Sequence, residues 1–197
     1  MDTPLALAAL ELARLHEVPS VLNHSIRTHA YAVLHAEKTG LTGFDPELLY
    51  VACVLHDLGA SDAFDGPQRF EVEAADAAAG LVREHGRTEG DADQVWQAIA
   101  LHTSPGIAER RGPIPLLTRV GVRIDFASIT IPAADRTAME AAHPRLGLDT
   151  DLGTLVAAQA VKQPEKARAS SWAADLVRQL HPGAPGPAPW AHPAWMS

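Results

Sequence analysis

The chain has 197 residues and a formal net charge of −8, which is enough length for one domain with a sizeable core. The acidic balance argues against a nucleic-acid-binding surface, because neutralising phosphates requires clustered Lys and Arg side chains. A single cysteine, Cys53, excludes an internal disulfide and a cysteine-based zinc site. No apolar run reaches the roughly 18 residues of a membrane span, so we expect a cytoplasmic protein.

The composition also predicts the fold class. Hydrophobic residues make up 47% of the chain and aromatic residues only 5%, alanine is common, and alternating β-branched runs are missing. Such a composition favours helices that pack closely through small side chains. We therefore predict an all-α helical bundle, with residues 1–181 as one domain and residues 182–197 as a proline-rich tail. Trp190 and Trp195 in that tail would dock either on the domain or on a partner subunit of a homo-oligomer.

Helical spacing of apolar residues, interrupted by Gly and Pro, predicts a series of helices. In chain order they are expected over residues 4–16, 20–39, 46–58, 69–85, 91–102, 114–128, 151–162 and 168–181. The segment 129–150 is predicted to be irregular, because it holds Pro132, Pro144 and Gly147. One stripe of the second helix carries His24, Thr28, Tyr31 and His35, which suits either a solvent-facing side or a polar cavity.

The third predicted helix carries the most informative pair of residues. Asp45 is placed to cap it and Pro46 to occupy its first position. Apolar residues then cover nearly every face up to Gly59, where the helix should end. His56 and Asp57 lie at the end of this buried run. A charged aspartate is costly there without a partner, and a divalent metal ion would be a suitable one.

Two more polar residues follow on inward-facing stripes. His102 comes after Val95 and Ile99 at helical spacing, and Asp125 follows Gly121 by four residues. Metal sites in helical bundles are built in this way, from inward side chains on facing helices.

A set of two imidazoles and two carboxylates can be assembled from these helices. It consists of His24, the pair His56 and Asp57, and Asp125, with Asp135 and Asp149 as competing choices for the last position. All-nitrogen-and-oxygen ligands suit Zn²⁺, Mn²⁺, Fe²⁺ or Ni²⁺.

The order His…His-Asp…Asp on helices resembles the HD-domain superfamily of metal-dependent hydrolases, over roughly residues 20–130. Four short stretches are also similar to segments of its cyanamide hydratase-like branch, namely Asn23–Arg27, Leu55–Gly59, Arg69–Glu71 and Ala100–Ser104. The resemblance implies a bundle with one divalent metal ion, usually zinc, in its centre. It further implies that water is added across a carbon–nitrogen triple bond of a small substrate.

The site residues expected on this basis fall into three groups. The metal ligands would be His24, His56, Asp57 and Asp125. His102 would act as an acid or base or would ligate the ion itself. Glu71 would orient a ligand or shuttle a proton, or would simply be a first-turn glutamate that the helix dipole favours. Substrate contacts are expected from Asn23, Arg27, Thr28, Tyr31, Arg69 and Thr103.

Three alternatives stay open. A phosphohydrolase acting on nucleotides or small phosphate esters needs cations near the metal, for which Arg27 and Arg69 are the candidates. A di-iron oxygenase needs further histidines, for which His85 and His102 are available. A non-catalytic HD module would lack a ligand, and none is visibly missing.

Overall fold

The structure is a computed structural model that describes residues 1–185. Within this range the chain forms α-helices joined by turns and short 3₁₀ segments, with no strand. The helices are α1 (Pro4–His16), α2 (Pro19–Thr39), α3 (Pro46–Leu55), α4 (Phe70–Glu84), α5 (Glu89–Ala100), α6 (Pro113–Asp125), α7 (Ala133–Ala142), α8 (Leu148–Lys162) and α9 (Trp172–Leu180). The all-α prediction is confirmed.

Local capping explains where two of these helices begin. The carboxylate of Asp45 accepts a hydrogen bond of 2.8 Å from the backbone N–H of Glu47, which caps α3 as predicted. Helix α5 begins two residues earlier than predicted, at Glu89. Its cap is a reciprocal pair of hydrogen bonds between Thr88 and Asp91.

Helix α3 ends earlier than the sequence suggested. It stops at Leu55, so that His56 and Asp57 lie in the turn after the helix and not within it. The ring of His56 bonds the carbonyl of Cys53 in the last helical turn and so takes up a carbonyl that would otherwise lack a partner. A short 3₁₀ segment, Leu58–Ala60, follows.

The prediction of an irregular segment over 129–150 is wrong for most of that range. Helix α7 and the first turn of α8 lie within it. Two of the three residues that suggested a break stand at helix starts, because Pro132 is the N-cap of α7 and Gly147 the N-cap of α8, and Pro144 lies between the two helices. Proline and glycine therefore mark the ends of these helices without preventing them.

The main core is formed by α1 to α6 around the fully buried residues of α3. Cys53 belongs to it, as predicted, and its burial raises the pKa of the thiol to about 12. A second cluster joins α8 and α9 to Phe70 at the start of α4.

Helices α2 and α6 approach each other unusually closely at Gly121. A Cβ atom at this position would lie only 2.2 Å from the carbonyl oxygen of Thr28. Glycine is therefore required at position 121 for steric reasons. The close contact brings His24 on α2 next to Asp125 on α6.

Two predictions concern other features of the chain. Trp190 and Trp195 lie outside the described residues, and the domain boundary at residue 181 stays a prediction. Within residues 1–185, no helix has both the length and the apolar character that crossing a bilayer requires.

Candidate metal centre

Three of the predicted ligands converge at the centre of the bundle. The Nε2 atoms of His24 and His56 lie 3.2 Å apart. The Oδ2 atom of Asp57 lies 3.4 Å from the first of these nitrogens and 3.0 Å from the second. All three side chains are buried, and their ligand atoms form a group that could hold a metal ion. Atoms bound to one Zn²⁺ at about 2.0–2.2 Å have similar separations.

The opposite nitrogen of each imidazole is already hydrogen-bonded. Nδ1 of His56 donates to the carbonyl of Cys53 at 2.8 Å. Nδ1 of His24 lies 2.7 Å from Oδ2 of Asp125, an ionised carboxylate that can only accept. With their hydrogens on Nδ1, the rings present Nε2 lone pairs to Asp57.

A cation would resolve the contacts that this arrangement creates. Neither carboxylate oxygen of Asp57 accepts a hydrogen bond within residues 1–185, although both are fully buried. Lone pairs of nitrogen and oxygen face each other at 3.0–3.4 Å. A buried carboxylate in such surroundings needs a proton or a metal ion between the atoms. The residues present therefore fit a divalent ion.

The electrostatics of the centre favour positive charge. Burial alone would lower the pKa of His24, but the carboxylates of Asp125 and Asp57 outweigh it and hold this pKa above its ordinary value. Burial would raise the pKa of Asp57, but the surrounding histidines hold it well below its usual range. The pKa of His56 is lowered, chiefly by burial. The centre thus contains an ionised carboxylate with neutral imidazole available beside it.

His102 lies at the edge of this group. Its Nδ1 donates to the carbonyl of Ile99 at 2.7 Å, so its Nε2 also faces inward, 3.5 Å from Oδ1 of Asp57. The His102 ring packs edge-on against the ring of His56, with 4.9 Å between their centroids. The position suits both roles predicted for His102, as an acid or base or as a further ligand, and the choice between them stays a prediction.

Asp125 lies behind His24 and not among the converging ligand atoms. Its Oδ2 contacts Nδ1 of His24, and its two oxygens accept hydrogen bonds of 2.7 Å from Nε and a terminal nitrogen of Arg27. The competing carboxylates are not among the converging ligand atoms, because Asp135 pairs with Lys38 at the surface and the exposed Asp149 pairs with Arg145. A direct bond from Asp125 to the ion stays a prediction.

A cavity of about 360 Å³ opens onto the centre. Asp57 and His102 are part of its lining. Its lining is completed by Thr103, Arg119, Val122, Arg123, Phe126, Ser128, Leu152 and Trp172. Apart from the two arginines, the walls are mostly apolar, so a small uncharged molecule would be accommodated next to Asp57.

Of the residues predicted to contact substrate, only Thr103 lines this cavity. Arg27, Thr28 and Tyr31 are buried elsewhere between helices. Asn23 donates to the carbonyl of Pro144 at the surface.

Arg69 and Glu71 form a connected group with Thr103. The carboxylate of Glu71 accepts from Arg69 at 2.7 Å and from the Thr103 hydroxyl at 2.6 Å. Glu71 therefore holds the residue after His102 in place and has no contact with the converging ligand atoms.

Sequence reasoning missed the arginines and aromatic residues of the cavity. Arg119, Val122, Arg123 and Phe126 are spaced three or four residues apart and so share one face of α6. The stripe through Gly121, from which Asp125 was predicted, lies on the opposite face of α6. The spacing that reveals the cavity face was present in the sequence, but only the fold shows which face meets the metal centre.

A sequence model of the HD domain matches residues 21–140. The chain belongs to the HD domain family. HD domains form a superfamily of metal-dependent hydrolases that includes phosphohydrolases, and the His24–His56–Asp57 group is where this HD domain could hold its divalent ion. No curated protein matches the chain. His85, considered for a second metal, is exposed at the end of α4 and bonds the carbonyl of Leu81.

Proposed function

We propose that this HD domain is a metal-dependent hydratase or hydrolase that adds water to a small nitrile-like substrate such as cyanamide. The observation that carries the proposal is the compact, largely apolar cavity whose lining includes Asp57 and His102. The resemblance of the segments around His24, His56 and His102 to the cyanamide hydratase-like branch supports the same reaction.

Hydration joins one water molecule to the carbon–nitrogen triple bond. The oxygen bonds to carbon, and both hydrogens end on nitrogen, which gives an amide or, from cyanamide, urea. When bound, the metal ion lowers the pKa of its water toward neutrality. Because Nδ1 of His102 donates its hydrogen to the carbonyl of Ile99, its Nε2 can accept a proton from the attacking water and pass that proton on to the substrate nitrogen.

The rest of the cavity would bind and enclose the substrate. The hydroxyl of Thr103 donates to Glu71 and accepts a long hydrogen bond of 3.5 Å from Arg69, so one lone pair of its oxygen is left to accept an N–H of an amino group. The apolar walls formed by Val122, Leu152 and Trp172 limit the access of bulk water and strengthen the polar contacts inside.

The test combines elemental analysis with a substrate panel on the same metal-loaded sample. Cyanamide and simple nitriles form one arm; nucleoside monophosphates and a generic phosphate ester form the other. One metal ion per chain with amide or urea produced from the nitrile arm is the expected result. A His102→Gln variant should keep its metal and lose about 10²–10⁴-fold in turnover. Release of phosphate from the second arm, with no product from cyanamide or the nitriles, would overturn the proposal.

A phosphohydrolase is the second candidate, and Arg119 and Arg123 in the cavity favour it. The charge of Arg119 is offset by Glu109 at 2.7 Å, and a second nitrogen of Arg119 donates to the carbonyl of His102. Arg123 makes no ion pair within residues 1–185 and is the cation free to meet a phosphate. Arg123→Gln should abolish hydrolysis of phosphate esters if that activity exists, and leave nitrile hydration nearly unchanged.

A further inference from the structure

A second cavity, of about 260 Å³, lies next to the turn that follows α3. Its walls come from the end of α1, the start of α2, the 3₁₀ segments Leu58–Ala60 and Asp62–Phe64, and one residue of α8. Within the described chain, Asp57 is the only residue that lines both this cavity and the first one. The second cavity therefore borders the metal centre but is separate from the proposed substrate site.

Glu17, the residue after α1, is the unusual member of this lining. Only 7% of its surface is exposed, and neither of its carboxylate oxygens accepts a hydrogen bond within residues 1–185. Burial, reinforced by the charge of Asp57, raises its pKa well above the ordinary value. A buried carboxyl in such surroundings takes up a proton or pairs with a cation that enters the cavity.

The charges around Glu17 favour a cation as the ligand of this cavity. Asp57 and Asp62 add two more carboxyl groups to the lining, and none of the lining residues in the described chain is Lys or Arg. The hydroxyl of Ser61 donates to the carbonyl of Leu58 at 2.7 Å, so the lone pairs of its oxygen are available to accept from a ligand. An anion would meet only groups of like charge or hydrogen-bond acceptors here.

The other walls of the second cavity favour an organic cation over a metal ion. They are largely aliphatic and include Leu15, Val18, Val21 and Leu155, of which the first two are exposed. Ca²⁺ takes six to eight oxygen ligands and Mg²⁺ takes six, and aliphatic walls supply none. A ligand with a positively charged nitrogen and a short apolar body matches both the carboxyl group and these walls.

We propose that the second cavity binds a small organic cation of the alkylammonium type, with its charged nitrogen at the carboxylate of Glu17 and its aliphatic part against Val21 and Leu155. Hydrogen bonds from an ammonium group to a carboxylate are charge-assisted and are among the stronger ones in proteins. The proposal concerns a second ligand and does not depend on which substrate the first cavity takes.

The first experiment measures the binding of n-butylammonium to the Zn²⁺-loaded protein by isothermal titration calorimetry. The metal-loaded protein is used so that the predicted ligand Asp57 is occupied. We expect one n-butylammonium ion per chain, and binding of the neutral 1-butanol that is at least about 10-fold weaker, because it lacks the charge. Equal affinities for the two molecules, or no binding of n-butylammonium, would overturn the proposal and leave a proton as the partner of Glu17.

Glu17→Gln tests the carboxylate directly. The amide keeps the size of the side chain but removes its charge, so the affinity for n-butylammonium should fall about 10–100-fold. Glu11→Gln, at an exposed residue of the same helix, is the matched control and should bind as the wild type does. An unchanged affinity in Glu17→Gln would show that the cation binds elsewhere.

A measurement on the wild type alone covers the case in which the Glu17 variant does not fold. Nuclear Overhauser effects in the methyl-labelled, Zn²⁺-loaded protein report which methyl groups contact the butyl chain of the bound ligand. The proposal requires contacts with Val21 and Leu155, which line the second cavity. Contacts with Val122 and Leu152 of the first cavity instead would refute it.

Discussion

Asp57 and Asp125 are two buried aspartates that contact opposite nitrogens of the same imidazole, that of His24. The oxygens of Asp57 accept no hydrogen bond within the described chain and face the Nε2 atoms of histidines. The oxygens of Asp125 are saturated by the buried Arg27 and by His24. Residue type and burial are alike, but only Asp57 still needs a cation. Partner atoms therefore indicate the role of a buried carboxylate better than its position in a motif.

The largest effect is expected at the group formed by His24, His56 and Asp57, where the carboxylate still needs a cation. His56→Ala removes one of the three converging ligand atoms and should leave the purified protein without its metal ion and without activity. Elemental analysis after gel filtration measures this loss. His85→Ala, at an exposed histidine, is the matched control and should keep the full metal content. If His56→Ala retains both metal and activity, the assigned ligands are wrong.

At Asp125, whose oxygens already accept hydrogen bonds, the main effect should be on stability. Arg27→Met leaves Asp125 buried without its partner, so we expect the free energy of unfolding to fall by about 3–5 kcal/mol. Urea denaturation measures it. Arg83→Met breaks the exposed pair with Glu89 and should cost no more than about 1 kcal/mol. Equal losses in the two variants would contradict the importance assigned to the buried pair.

A steric change at Gly121 tests the contact between α2 and α6, which brings His24 next to Asp125. In Gly121→Ala the new Cβ would lie 2.2 Å from the carbonyl oxygen of Thr28, so α2 and α6 must separate, at a cost of about 1–3 kcal/mol. Weaker binding of Zn²⁺ should accompany this loss, because His24 and Asp125 move apart. Gly80→Ala has open space around its Cβ and should instead stabilise α4 by roughly 0.5–1 kcal/mol.

The smallest effect concerns Glu17, a buried carboxyl whose oxygens, like those of Asp57, accept no hydrogen bond within residues 1–185. Burial, reinforced by the charge of Asp57, raises its pKa well above the ordinary 4.5. The folded chain then holds this proton more tightly than the unfolded chain, so stability is lost as pH rises from 4.5 toward the folded-state pKa.

Replacing Glu17 by Gln removes this loss. We expect the variant to exceed the wild type at neutral pH by on the order of 1 kcal/mol, and the difference to vanish in acid below the ordinary pKa. Urea denaturation at both pH values measures it, with Glu11→Gln, exposed on the same helix, as the control. A difference that does not change with pH would rule out titration as its cause.

The sequence predicted the features that depend on local pattern. Apolar spacing and capping placed most helices within a few residues, and the cost of a charge in an apolar run pointed to His56 and Asp57. What it could not predict are contacts between distant segments. That Arg27 would pair with Asp125, 98 residues away, follows only from the docking of α2 on α6. The exposure of Arg119 and Arg123 to the cavity depends likewise on distant segments, which bring Leu152 and Trp172 to the same cavity.

The close approach of α2 and α6 at Gly121 also bears on how the protein is made. All three converging ligands occur within the first 57 residues, but the carboxylate that orients His24 is residue 125. A nascent chain that ends at α5 already contains these ligands, yet it lacks the helix that fixes the first of them. Tight metal uptake during synthesis must therefore wait until α6 has emerged and docked, so loading follows assembly of the bundle.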